Sequence, residues 1–298
     1  MDKQFRGALL LLLTAMIWGA AFVAQSEGLK TVSPFTFQAA RQFLGFLVLL
    51  PVVFLRSRKN PPQNINARRK SRKKLIPAGI VCGVFLFSAT ILQQFGLLQT
   101  TPGRSGFITA LYILIVPLFG LFAGRRVSLR IWCSVAISIV GMYFLCFSGG
   151  VSFGIGELLT LACSFCFAGH ILMIARVSGD VDGVQLSCLQ FLVSSLLSAV
   201  CMLLFESPSL PALLACWLPI GYAGIASCGI AYTLQILAQK DVSPTLAAIL
   251  MSTESVFAAL FAWLVVGKGM SPAELFGSAL MFSAIILAQL PERKTVFT

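Results

Sequence analysis

The sequence predicts an all-α integral membrane protein of ten transmembrane helices, arranged as two inverted five-helix repeats. Three observations predict it: too few charges to face water, a succession of long apolar runs, and short motifs that recur half a chain apart. Of 298 residues, 58% are apolar and only 11% charged, with a mean hydropathy of +0.92. A soluble domain carries about 25% charged residues. So little charge cannot cover a water-facing surface without leaving large apolar patches, so lipid is the expected solvent for most of it.

Crossing the bilayer core takes about 20 mostly apolar residues per helix, and helices satisfy their own backbone groups in lipid. In order, the spans fall near 7–25, 35–55, 75–97, 103–123 and 129–147, then 153–173, 184–205, 211–236, 243–266 and 272–290. Between them stand Ser33-Pro34, Thr101-Pro102-Gly103, Gly149-Gly150, Ser207-Pro208, Ser243-Pro244 and Ser271-Pro272, residues that stop helices or open the next. The first run follows Lys3 and Arg6 as a signal peptide would. It is read as a retained span because the second half contains its counterpart.

Lys and Arg in the loops set the orientation. With the amino terminus in the cytoplasm, 18 of the 22 basic residues fall inside and 3 outside, with Arg41 within a span. That bias places both termini in the cytoplasm of a multi-pass plasma-membrane protein. Nine of the basic residues lie between Arg56 and Lys74, an expected anchor of this loop, 56–74, to anionic lipid headgroups. The net charge of +12 is thus a membrane signal, and no nucleic acid partner is expected.

The two halves, 1–148 and 149–298, repeat. Gly7 to Trp18-Gly19 lies over Gly156 to Phe167-Ala168, and Arg41-Gln42-Phe43-Leu44 over Leu189-Gln190-Phe191-Leu192. Thr101-Pro102 matches Ser243-Pro244, and Gly124-Arg125 matches Gly267-Lys268. Five spans per unit is an odd number, so the second copy enters the membrane from the opposite side. Many secondary transporters are built this way, with the solute site near the midplane between the halves.

On these residues the chain resembles the EamA family of the drug/metabolite transporter superfamily. Thr109-Ala110-Leu111-Tyr112 to Val116-Pro117 in the fourth span and Thr253-Glu254-Ser255 to Trp263 in the ninth carry the likeness. Ile17-Trp18-Gly19 and Ala40-Arg41 fit the same pattern. It departs from the family at Ser255, where Pro is common, and at Gly124-Arg125 and Gly267-Lys268, where Gly-Glu is common. The resemblance implies ten helices, cytoplasmic termini, and alternating-access export of amino acids or other small metabolites. It also implies a central cavity lined by spans one, three, four, six, eight and nine.

An ionisable group inside the membrane costs about 2.5–3.5 kcal/mol on insertion scales and so tends to face a protein interior. Glu254, mid-span, is the principal candidate, either for a substrate amine or for a coupling proton. Its repeat partner is Tyr112. Gln94 and Gln235 are also repeat partners, read as solute contacts near the two mouths or as ties between helices. Trp18 and Tyr232 are candidates for an aromatic cavity wall. His170, the only histidine, is read as a structural donor or a proton relay. Arg41 is expected to bond backbone carbonyls or to reach for the surface. Gly79xxxGly83 and Gly120xxxGly124 are expected at close helix contacts.

Two other classes fit less well. A membrane-embedded enzyme needs a metal cluster, a nucleophile with its base, or paired carboxylates. Glu157 and Glu254, the main acids within the spans, are expected far apart in depth, and no catalytic group is assigned. Cys163 and Cys166 form a CxxC within an apolar helix, without the second pair a zinc site needs. A channel commonly has symmetric oligomeric pore elements or charged rings, not internal inverted symmetry. No GxxxxGK[ST] loop occurs, so ATP drive is not expected, and no cofactor or metal is assigned.

Overall fold

The computed structural model describes residues 2–59, 65–100, 102–122, 124, 127–146, 154–266 and 271–290. At 59, 65–72, 145–146, 262, 265–266, 274 and 289 only the backbone is described. Thr101, Arg125, Gly149, Gly150, Gly267, Lys268 and residues 60–64 of the basic loop, all singled out above, lie outside the described residues, as do Arg126, Arg293 and Lys294 of the basic residues counted there.

Fourteen α-helices and one π-helical stretch make up the fold, with no strand among the described residues. The first half contains α1 (Lys3–Gly28), α2 (Pro34–Lys59), α3 (Ile65–Leu97), α4 (Pro102–Thr109), α5 (Tyr112–Phe122) and α6 (Leu129–Cys146). The second contains α7 (Ile155–Val177), α8 (Gly183–Phe205), α9 (Leu210–Ala215), α10 (Trp217–Gly221), a π-helix over Tyr222–Ala231, α11 (Tyr232–Ala238), α12 (Pro244–Met251), α13 (Glu254–Val266) and α14 (Pro272–Gln289). Among the described residues eight helices or helix runs are long and apolar enough to cross a membrane, and Leu129–Phe144 and Leu275–Ala288 are shorter apolar helices.

The helix ends follow local chemistry. Proline, which has no N–H to lose and a φ already suited to a first turn, opens α2, α4, α12 and α14. Asp182 caps α8, accepting from the Val184 and Gln185 amides at 3.0 Å. At α2 the cap comes from across the molecule. Glu206, at the end of α8, accepts from the amides of Phe35 and Thr36 at 2.9 and 2.8 Å and from the Thr36 hydroxyl at 2.7 Å. A carboxylate there meets both orphan amides and the positive end of the helix dipole. Glu157 closes α7 on itself, accepting from the Gly154 amide at 2.9 Å and the Thr100 hydroxyl at 2.7 Å.

Two of the runs are broken internally. Between α4 and α5, Ala110 and Leu111 leave the α-helix, and the chain continues on i→i+3 bonds such as Ile113 N–H to Ala110 O at 3.0 Å. Pro117 in α5 cannot donate to the Ile113 carbonyl, which weakens the helix beside that break. Between α12 and α13 the break falls at Ser252 and Thr253. There the hydroxyls of Ser252, Thr253 and Ser255 donate to carbonyls three residues back at 2.6–2.8 Å, taking acceptors the helix would otherwise use.

Packing is close where small residues allow it. Helix α6 lies along α14, α3 lies between α7 and α8, α2 packs on α8 and the π-helix, and α1 on α13 and the α9–α11 run. Gly79 and Gly83 meet Leu189 and Val193 of α8, as expected. The second glycine pair corrects the expectation. A Cβ added at Gly120 or Gly124 would meet no atom within 4 Å, and Gly124 instead turns the chain with φ of +73° at the end of α5.

The distribution of polarity is inverted relative to a soluble protein. Leu203, Leu204, Phe205, Trp217, Leu218 and Ile286 are exposed, whereas Gln25, Gln38, Arg41, Gln42, Thr90, Gln93 and Gln94 are buried. Apolar groups outside suit lipid, and polar groups inside must find one another or a solute. At one end, Arg56 and Lys74 of the basic stretch pair with Asp182 at 3.6 Å and Asp180 at 3.0 Å. Such exposed pairs contribute at most about 1 kcal/mol each.

Candidate functional site

A narrow cavity lies at the centre of the bundle, lined by side chains from α1, α2, α3, α4, α5, α7, the π-helix, α11 and α13. Helix α1 gives the longest wall. Trp18, Ala21, Phe22 and Gln25 all face it, the i, i+3, i+4, i+7 spacing of one helical face. Gly19, beside Trp18, lets α1 approach α13 so closely that a Cβ there would stand 2.7 Å from the Ala258 nitrogen. The π-helix widens its turn opposite and presents Ser227, with Tyr232 just beyond it. The Ala231 carbonyl, at the junction of the π-helix and α11, accepts from Thr14 of α1 at 3.2 Å.

The α4–α5 and α12–α13 breaks meet in the cavity wall. Tyr112 is the first residue of α5 and Glu254 the first of α13, and the Tyr112 hydroxyl donates to the Glu254 carboxylate at 3.0 Å. Both are buried, with 2% and 4% of their surface exposed, so no bulk water competes for the bond. Trp18 packs on Tyr232 with ring centroids 4.6 Å apart, and its indole N–H has no partner among the described residues. Gln93 reaches the Thr109 hydroxyl at 3.2 Å.

Arg41 forms the other charged part of the wall, and here the structure departs from the sequence reading. Its guanidinium does not reach the surface, and it bonds no backbone carbonyl among the described residues. It is 3% exposed and donates to side-chain amide oxygens, Gln38 at 2.9 and 2.7 Å and Gln25 at 2.8 Å. The reason is supply: α1 and α2 place two glutamine oxygens within reach, and a buried polar side chain takes the nearest acceptors. Gln25 Oε1 also accepts from Gln94 at 2.8 Å. Gln38 and Gln42 both donate to Thr90, so the network continues into α3.

Of the residues singled out in the sequence, Glu254, Tyr112, Trp18 and Tyr232 share the cavity wall. Gln94 stands one bond behind it, through Gln25. Gln235 is buried at 1% exposure and is not among the residues of the cavity wall, with its side-chain oxygen unpartnered among the described residues. His170 lies behind Tyr232, ring centroids 6.1 Å apart, and shares a hydrogen bond with Gln190 at 3.0 Å. The sequence reading passed over Gln25, Phe22, Gln93, Thr109, Phe167 and Ser227. The 18–21–22–25 stripe would have picked out the first two. Among the described residues no group of His, Cys, Asp and Glu could hold a metal, and the eight described cysteines are free thiols.

Known proteins share this architecture. One solved crystal structure superposes with a TM-score of 0.77 at 21% identity, covering 95% of this chain and 96% of the other, which speaks to fold alone. An uncharacterized transporter of Archaeoglobus fulgidus is 29% identical over 97% of this chain and 87% of its own length. An uncharacterized inner membrane transporter of Escherichia coli K12, YedA, is 24% identical over 92% and 88% respectively. The sequence model of the EamA-like transporter family matches residues 5–147 and again residues 154–290, nearly the whole chain. An apolar exterior, a polar buried cavity and this double match lead to one assignment: the chain is a membrane protein of the EamA-like transporter family, within the drug/metabolite transporter superfamily.

Proposed function

We propose that this protein is a secondary transporter that exports small metabolites, amino acids among them, across the cytoplasmic membrane by alternating access. The observation that carries the reading is the meeting of two interrupted helices at a buried hydroxyl–carboxylate contact, Tyr112 to Glu254, inside a cavity otherwise walled by aromatic and amide side chains. Interrupted helices at midplane free polar groups for a solute, as in other carriers. Glu254 then takes a substrate amine or a coupling proton, with Tyr112 as its reporter.

Ten spans in two inverted units, 1–148 and 149–298, complete the reading. Packing supports it. Exchanging each helix with its counterpart turns the α1 contact with α9–α11 into the α7 contact with α3, and α1 with α12 and α13 into α7 with α4 and α5. The α2–α8 and α6–α14 pairs map onto themselves. Gly7 and Gly156, matched in the repeat, pack the same way: a Cβ would stand 3.3 Å from the Ala238 carbonyl in one case and 3.1 Å from that of Gly96 in the other.

With both termini cytoplasmic, the cavity sits between the midplane and the outer surface. Towards the cytoplasm, Gly7 packs on Val242 and Gln239 donates to the Ile171 carbonyl at 3.2 Å, contacts that must part for inward opening. The test is to express the chain in bacteria and compare small metabolites in the medium with those from Glu254→Gln and empty-vector strains. Accumulation with the wild type alone supports export and names the solute. Equal media from all three strains would count against export.

A further inference from the structure

We propose that Arg41, held by Gln25 and Gln38, is an anion subsite of the cavity and that the transported solute carries a carboxylate which docks there. The proposal rests on reading the cavity as the solute site and adds the group that selects among solutes.

A guanidinium has five N–H donors and is ionised at any accessible pH. Three of the five are engaged: Nε and one N–H of Nη2 with Gln38, and one N–H of Nη1 with Gln25. Among the described residues, each terminal nitrogen retains one N–H that a carboxylate can accept. The partners present are neutral amides, and among the described residues no carboxylate lies within 4.0 Å of Arg41. At 3% exposure no bulk water solvates it, yet it lines the cavity.

A buried cation without a counter-ion is costly, and a protein that only needed to tie α1 to α2 would use neutral groups. The amides also fix the fork. Gln25 is itself held by Gln94, and Gln38 by Thr90, so the guanidinium is set before a ligand arrives. Its flank rests over the Phe37 ring, Cζ 5.9 Å from the centroid.

The anion subsite is separate from the Tyr112–Glu254 contact. Gln25 lies seven residues, or about 10 Å, along α1 from Trp18, which packs with Tyr232 at the level of the helix breaks. Phe22 and Trp18 line the interval, so an apolar or aromatic body suits the space between the two poles.

The test is titration of the purified full-length protein in detergent with four probes, followed by thermal unfolding: 3-phenylpropionate, its primary amide, L-phenylalanine and L-phenylalaninamide. The expected result is that each acid binds at least about tenfold tighter than its amide, the scale of a charge-assisted pair. In Arg41→Gln that discrimination collapses towards unity, while Arg41→Lys, which keeps the charge without the fork, retains part of it. Equal binding of acids and amides by the wild type overturns the anion subsite and leaves the solute cavity standing, and needs no variant that folds. Undiminished discrimination in Arg41→Gln overturns it likewise. Binding of none of the four probes overturns this proposal together with its reading of the cavity.

Discussion

Tyr112 and Glu254 each begin the second segment of an interrupted helix, and they touch, hydroxyl to carboxylate, at 3.0 Å. They are 142 positions apart and occupy matching places in the two halves of the sequence. A contact between matching residues lies where the two halves face each other. On the proposed alternating-access reading, movement of one half against the other alters this bond.

Close approach of α1 to α13 at Gly19 is the first consequence open to test. A Cβ at Gly19 would meet backbone atoms of Phe257 and Ala258, which cannot step aside as a flexible side chain can. Gly19→Ala is expected to destabilise by about 1–3 kcal/mol, seen as a lower unfolding temperature in detergent. Gly179→Ala, with no atom within 4 Å of the added carbon, should leave that temperature where it was.

Capping of α2 from α8 gives a second prediction. Glu206 supplies three hydrogen bonds to Phe35 and Thr36 across some 170 residues of sequence. Glu206→Ala should cost about 1–2 kcal/mol, the scale of a lost cap. Thr36→Val in the same background should add less than it does alone. Additive losses in a thermal-unfolding cycle would show that the two groups do not share one interaction.

Orientation yields a third. A fluorescent protein fused after the last residue should mature and fluoresce in bacteria, while a reporter active only outside the cytoplasm should be silent at that position. The same pair of reporters inserted at Lys30, between α1 and α2, should give the opposite pattern.

Much of the fold was legible because lipid imposes a simple rule on sequence. The apolar runs bounded by Pro, Gly or charge became helical, with starts met at Pro34, Pro102, Pro244 and Pro272, although 103–123, 211–236 and 243–266 are each divided into shorter helices and α3 starts ten residues early. Glu254 stood out because a carboxylate in such a run needs a reason, and Tyr112 because the repeat placed it opposite. What hydropathy does not encode is where a helix breaks. Ala110-Leu111 is as apolar as its neighbours, and only the crowding of hydroxyls in Ser252-Thr253-Glu254-Ser255 hints at the second break. Amides were equally hard to read. Gln25, Gln38 and Gln42 carry no charge to betray a network, and its extent emerges only when α1, α2 and α3 come together around Arg41. The Gly120xxxGly124 spacing misled because a close contact needs a partner helix as well as small residues.

The most direct measurement of the central claim is a double-mutant cycle on solute flux, with Tyr112→Phe, Glu254→Gln and the double variant compared at equal membrane expression. The account predicts that Tyr112→Phe lowers flux about tenfold, the scale of one charge-assisted hydrogen bond. It predicts that Glu254→Gln lowers flux further, and that the double variant is no worse than Glu254→Gln alone. Wild-type flux in Glu254→Gln, or losses that simply multiply in the double variant, would contradict the assignment of this pair as the working contact of the transporter.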